Sequence, residues 1–326
     1  MNVLVTGGGG YIGSVVVELL VRKGHSVVVL DNFSTGHRAA VDPAARVATG
    51  DLADAAEVEK LFSGNTFDCV MHLAADSLVE ESMRQPEKYY WSGLCAGLIL
   101  LTAMVRHGTK RIVFSSSASV YGDPESVPIA ESAPTRPRNP YGEVKLAFER
   151  ALHWFQVAHG LSYVSLRYFN AAGATQAHGE HHSPETHLIP IVLRTALGRS
   201  EAVEVFGTDY PTEDGTCVRD YVHVLDLAEA HVLGLNALAR DMTGVFNLGN
   251  GNGYSVKQVL AAAGEVTGTE IPWRGIGRRQ GDPARLVASS EKAMRELGWK
   301  PAHASLHEML TSAWDWMKAF PAGYPD

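Results

Sequence analysis

The opening of the chain restricts its folding more than any other stretch. Met1-Asn2-Val3-Leu4-Val5-Thr6 is an apolar, β-rich run, and Gly7-Gly8-Gly9-Gly10-Tyr11-Ile12-Gly13 follows it without a spacer. Residues 14–23 then carry Val15, Val16, Leu19 and Leu20 at helical spacing, with Gly24 as the stop. Ser26-Val27-Val28-Val29-Leu30 reads as a second strand, and Asp31 closes it. A strand that turns through glycines into a helix leaves the helix's first N–H groups unsatisfied at the turn, where they and the helix dipole attract an anion. Gly7 and Gly10 let the backbone turn and come close to such a ligand, and Gly13 lets the helix lie on the sheet. Asp31 is placed to accept hydrogen bonds from ribose hydroxyls and to repel a 2′-phosphate. The unit therefore predicts a dinucleotide pyrophosphate on the turn, with NAD favoured over NADP. Glycines alone can make a turn in an unrelated α/β protein; the flanking strands, helix and acid carry the stronger reading.

The alternation continues. Residues 46–49 read as a strand ending at Gly50-Asp51-Leu52, 54–62 as a helix, and 68–75 as a strand apolar enough to be buried on both faces. A long helix is expected over 86–107, then a strand over 111–114 that runs into Ser115-Ser116-Ser117. Five prolines mark 123–140 as a surface loop, followed by a helix over 141–159 and a strand over 161–169. This pattern predicts the α/β class, with a doubly wound parallel (Rossmann) sheet whose ligands lie beyond the carboxyl ends of the strands. Asp31, Asp51, Leu73-Ala74-Ala75 and Ser115 to Ser117 all fall at such ends. After Asn170 the pattern loosens, with a loop over 171–186 and short elements from 187 onward. Residues 1–170 are read as the nucleotide-binding domain. Residues 171–326 are read mainly as a smaller C-terminal α/β substrate domain, with some later segments returning to the first.

Composition serves mainly to exclude. A net charge of −8 without a basic stripe argues against nucleic acid. The longest apolar stretch, about 93–105, falls short of a bilayer, and a strand that begins at residue 1 leaves no room for a leader. Three widely spaced cysteines suit a reducing cytoplasm better than a disulfide framework or a zinc site.

Tyr141 and Lys145 lie four apart near a helix start, so they share one helical face. An ammonium beside a phenol favours the phenolate, and an oxidised nicotinamide nearby would act in the same direction. Tyr141 then becomes a general base near neutral pH, with Ser117 at a strand end hydrogen-bonding the same substrate hydroxyl. By itself a Tyr-x-x-x-Lys spacing also describes a surface tyrosine with a solvated lysine. The dinucleotide unit upstream and the serine run decide for the catalytic reading.

With these motifs the chain resembles the extended short-chain dehydrogenase/reductase family, and within it the enzymes that epimerise UDP-hexoses at carbon 4. The resemblance continues through Asn139-Pro140-Tyr141-Gly142-Glu143-Val144-Lys145, Leu166-Arg167-Tyr168-Phe169-Asn170 and Asp214-Gly215-Thr216-Cys217-Val218-Arg219-Asp220-Tyr221-Val222-His223. It implies that Tyr141 removes the 4-hydroxyl proton with Ser117, that Lys145 holds the nicotinamide ribose, and that a 4-keto sugar forms transiently. Tyr11, Ile12, Asp31, Asn32, Asp51, Leu52, Leu73, Ala74, Ala75 and Phe169 match NAD-contacting positions. Asn170, His187, Leu188, Arg219, Arg279 and Asp282 match positions that hold the UDP-sugar. Arg219 can instead pair with Asp220 or Asp226, and Arg279 can be a solvated charge. Family members pair through two helices, here 86–107 and 141–159, which implies a homodimer.

Three departures stand out. Trp91-Ser92-Gly93-Leu94-Cys95-Ala96-Gly97 lacks the amide side chains usual near the cofactor, so weaker NAD binding or a looser site floor is expected. His187 stands where asparagine is common. Leu286 occupies the position that screens the sugar's 2-substituent, which leaves UDP-N-acetylhexosamines open as substrates; a UDP-uronic acid is not excluded by the sequence either. Related dehydratases and decarboxylases place an acid just after the serine motif; Ala118-Ser119 offers none. Non-catalytic dinucleotide sensors of this fold usually lose the tyrosine–lysine pair, which this chain keeps. Gly179-Glu180-His181-His182, with His178 and His187, lacks a helical pair of ligands, and the reaction needs no metal, so none is expected. His72, on a buried strand, is read as a core histidine.

Overall fold

A computed structural model describes residues 1–279 and 282–325. β1 (Asn2–Thr6), α1 (Tyr11–Arg22) and β2 (Ser26–Asp31) form the opening unit, followed by β3 (Arg46–Thr49), α2 (Ala55–Ser63) and β4 (Cys69–His72). A broken helical run comes next: α3 (Val79–Arg84), α4 (Pro86–Tyr89), a π-helical segment (Tyr90–Cys95) and α5 (Ala96–Arg106). β5 (Arg111–Ser117), α6 (Pro140–His159) and β6 (Ser162–Tyr168) complete this part. Beyond it lie β7 (Asn170–Ala172), α7 (Leu188–Ala196), β8 (Val203–Phe206), β9 (Val218–Arg219) and β10 (Tyr221–His223). They are followed by α8 (Val224–Leu238), β11 (Gly244–Leu248), β12 (Tyr254–Ser255), α9 (Val256–Thr267), β13 (Trp273–Ile276), β14 (Arg285–Leu286) and α10 (Leu306–Ala319).

Seven parallel strands lie in the order β11-β6-β5-β4-β1-β2-β3. Side chains alternate across a strand, so the apolar run of β1 feeds both faces. Val3 and Val5 pack with α1 and α8, whereas Leu4 packs with α2, α5 and α6. This is the doubly wound sheet. The edge strand β11 and the covering helix α8 come from beyond residue 220, and both place most of their residues in the buried interior. A second core gathers α7, α9 and α10 over β8.

Several boundaries differ from expectation. α1 begins at Tyr11 rather than Ser14, with Gly10 as N-cap, so Gly13 falls in the first turn. β4 stops at His72; the Leu73 N–H still donates to the Thr6 carbonyl at 3.0 Å, but the chain then swings over the glycine turn. The run Pro86–Arg106 spans 21 residues and is long and apolar enough to cross a membrane by length and composition, which overturns the length argument made from 93–105. Here one face of it packs on α6, where Gly93 abuts Val144 and Gly97 abuts Phe148.

Candidate active site

The glycine turn lies where β1 passes under the segment after β4. Gly7 has φ +75°, and a Cβ there would stand 2.5 Å from the Ala74 nitrogen. A Cβ at Gly13 would stand 2.1 Å from the Gly7 carbonyl oxygen, so α1 can rest on the turn only without one. Gly10 provides no side-chain cap, and the first turn of α1 contains no acid. The N–H groups there are left for an anion. The Asp31 carboxylate accepts the Gly9 and Phe33 N–H groups, both at 2.8 Å, and keeps lone pairs for ribose hydroxyls. Asn32 donates to Asp51 at 3.0 Å. Leu52 is buried and Ile12 half-buried in the flanking cores. The Tyr11 hydroxyl is committed to the Gly173 carbonyl at 2.5 Å, which ties α1 to the later half of the chain. These residues fit a dinucleotide.

β5 delivers Ser117 at its carboxyl end, and α6 begins opposite it. Asn139 caps α6 by accepting the Gly142 N–H at 2.8 Å, with Pro140 at the first helical position. This puts Tyr141 in the first turn and Lys145 one turn on. Ser117 lies close enough to the Tyr141 hydroxyl to favour its ionised form. The Lys145 Nζ lies 5.7 Å from the Tyr141 ring centroid and donates to the Ser115 carbonyl at 2.7 Å. Burial pulls the Lys145 ammonium down to about 8. The expected depression of Tyr141 is not met by the protein's own groups: burial raises its hydroxyl, opposed only in part by the neighbouring Ser117. Farther along α6, Glu149 accepts from Ser116 at 2.6 Å and from the Arg167 Nε at 2.9 Å. Those buried bonds fix α6 against β5 and β6. His72 is buried, bonded to Thr6 at 2.8 Å and packed by Phe114 and Phe148, as a core histidine should be.

On the other side, Phe169 is buried with Ala118, Leu146 and Ala288, and Leu286 packs against this cluster. Leu286 pairs in register with Arg219. Arg219 forms an ion pair with Asp282 rather than with Asp220 or Asp226. Asp220 is occupied by the N–H groups of Asn250, Gly251 and Ala288, and Asp226 by those of Ala302 and His303. Asn170 donates to the Asp220 carbonyl at 2.9 Å. Arg279 is exposed, its guanidinium 3.8 Å from the Phe206 ring centroid, with no ion-pair partner among the described residues. His187 caps α7 and leans on Glu180 at 2.6 Å, and Leu188 packs into the second core.

Two features escaped the sequence. Ser92 donates to Asp76 at 2.6 Å, and both line a small cavity with Tyr141, Ala74, Ala75 and Gly93. Phe33 takes φ 55°, unusual for a non-glycine residue, and its ring covers Gly9. The altered 92–97 segment pointed to the first, whereas backbone conformation at Phe33 has no local marker.

Fold and site together define a dinucleotide-dependent enzyme of the short-chain dehydrogenase/reductase type. The chain belongs to the NAD dependent epimerase/dehydratase family, whose profile matches residues 3–249. It is 52% identical to UDP-glucose 4-epimerase of Halalkalibacterium halodurans, covering 99% of this chain and 98% of that one. It is 50% identical to the enzyme of the same name from Corynebacterium glutamicum, over 98% and 96% of the two chains. A crystal structure of UDP-glucose 4-epimerase superposes with TM-score 0.97 at 48% identity over 100% of each chain. That of the Bifidobacterium longum enzyme with NAD+ and UDP gives 0.95 at 39% identity, over 99% of this chain and 100% of that chain.

Proposed function

We infer that this chain interconverts UDP-glucose and UDP-galactose by NAD-dependent epimerisation at carbon 4. The observation that carries this is the placement of Tyr141 in the first turn of α6 with Lys145 one turn along the same helix, its Nζ 5.7 Å from the Tyr141 ring centroid, opposite Ser117 at the end of β5. The turn from Gly7 to Gly13 would hold the pyrophosphate, Asp31 and Asn32 the adenosine ribose, and Lys145 the nicotinamide ribose; Leu73, Ala74 and Ala75 line the approach. The chemistry NAD supplies when bound is reversible hydride acceptance at carbon 4.

The chain's own residues move the proton and orient the sugar. Tyr141 takes the 4-hydroxyl proton, Ser117 holds that oxygen, and the Lys145 ammonium stabilises the phenolate. The keto sugar then presents its other face and Tyr141 returns the proton to the oxygen; no net oxidation results because the hydride taken up by the cofactor would return to carbon 4 in the same step. Arg219 and Arg279 are assigned to the diphosphate, where a bidentate, permanently charged fork suits the oxygens. On diphosphate binding Asp282 shares Arg219. Asn170, His187 and Leu188 frame the UDP moiety, and Leu286 with Phe169 faces the hexose. We assign residues 1–170, with α8 and β11, to the nucleotide domain and most of the rest to the substrate domain.

We further propose a homodimer. Trp91 and Trp154 are 67% and 65% exposed on the neighbouring 86–106 run and α6, with Leu98 and Val157 beside them in sequence. Two unpartnered apolar helix faces are best buried against a second copy. Trp154→Glu should convert a dimeric elution profile to a monomeric one; a wild-type monomer at micromolar concentration would refute the assignment. Three free cysteines suit the reducing cytoplasm.

The test of function is turnover of UDP-galactose to UDP-glucose, with and without added NAD. Tyr141→Phe should lower kcat roughly 10²- to 10⁴-fold while leaving nucleotide binding intact. No turnover by an NAD-loaded wild type would defeat the assignment.

A further inference from the structure

We propose that the loop between β7 and α7 is a divalent-cation site of the zinc type, formed by Glu180, His182, Glu185 and His187. The sequence argued against a metal because no helical pair of ligands is present. The fold supplies another arrangement. Glu180 and His182 are two residues apart in non-helical chain, as are Glu185 and His187, and the loop turns the two pairs toward each other. One ligand atom from each side chain lies within 4.8 Å of all the others.

The spacing fits a tetrahedron. Zinc bonds of about 2.0–2.1 Å put ligand atoms roughly 3.4 Å apart. The His182 Nδ1 lies 3.4 Å from the Glu180 Oε1 and 3.9 Å from the Glu185 Oε2, and the His187 Nδ1 lies 3.5 Å from the Glu185 Oε1, which also accepts the Thr186 and His187 N–H groups. Only the 2.6 Å contact between His187 and Glu180 is shorter, as a hydrogen bond requires, and it opens when a cation replaces the shared proton.

Burial supplies an independent observation. The Glu185 side chain is only 2% exposed, yet its Oε2 has no hydrogen-bond partner, and neither has the buried His182 Nδ1. Buried polar atoms are rarely left so. Among the described residues, the only guanidinium within ion-pair distance of Glu185 is that of Arg194, at the 4.0 Å limit. Two carboxylates and two imidazoles match the charge and donor preference of Zn²⁺ or a similar first-row dication. A cation here clips the loop that starts at Gly173, where Tyr11 is bonded, and ends at His187 and Leu188. Its role is to hold together the nucleotide and sugar sides of the site.

The experiment uses the full-length, NAD-loaded protein, stripped with chelator, dialysed and titrated calorimetrically with zinc chloride. The expected result is one zinc per chain, with a rise in Tm of about 5 °C at hundredfold excess over Kd. His182→Gln and Glu185→Gln should each weaken binding at least tenfold. Absence of stoichiometric binding in the wild type, or binding unchanged in both variants, overturns the site. Should the variants fold poorly, anomalous scattering at the zinc edge from wild-type crystals decides. A peak among the four side chains supports the site, and zinc found only elsewhere refutes it.

Discussion

Lys145 is 6% exposed, and its charge is held at the expense of desolvation. With its ammonium brought down to about 8 from an ordinary 10.5, it is charged at neutral pH and neutral by pH 9. Its assigned role beside Tyr141 needs the charge, so kcat should fall as pH rises through 8; a rate still climbing to pH 10 would remove the lysine from the mechanism. The stability effect has the opposite slope. Between about 8 and 10.5 the folded state binds fewer protons than the unfolded chain, so this group's contribution to stability rises with pH. Gly7, Asp31, Tyr141 and Lys145 were legible as residues because each sits at a fixed offset within one element or one turn. Asp76 and Ser92 were not, because their partnership joins a loop to a helix.

Among elements, the contact between the π-helical segment and α6 determines where Tyr141 and Lys145 stand. A Cβ on Gly93 would come 2.5 Å from the Val144 Cγ1, so the two helices approach through the missing side chain. Gly93→Ala should therefore overpack the contact, destabilise the protein by about 1–3 kcal/mol and lower kcat by shifting α6. Val144→Ala should relieve that cost in the double variant, and a strictly additive double-mutant cycle would show that the contact does not couple the helices. The strands and most helices were legible from hydrophobic period. The break at Gln85 and the π-turn were not, since both answer to packing against α6.

For the molecule as a whole, the buried histidines set the acid limit. Burial draws His72 down to about 3 and both His223 and His231 to about 4. Each is neutral when folded and takes up a proton on unfolding below pH 6.5. Folded stability is thus fully present above 6.5 and is lost as pH falls toward 4, by up to about 4 kcal/mol per pH unit if all three act. Urea unfolding at pH 7.5, 6.5, 5.5 and 4.5 measures this; a flat midpoint would contradict it. The His231 Nδ1–H donates to the Leu227 carbonyl at 2.8 Å, and Nε2 has no partner among the described residues. His231→Leu should flatten the slope by about one proton.

The sequence by itself determined the α/β class and the glycine turn, and marked Asp31 and the set of Ser117, Tyr141 and Lys145 as candidates, because these depend on local propensity and on offsets within single elements. Only the tertiary structure decided that β11 and α8 complete the first sheet, that Arg219 pairs with Asp282, and that Glu180, His182, Glu185 and His187 converge. Those arrangements depend on which distant segments share a face or a strand edge. Burial makes that choice over the whole chain, and no local pattern records it.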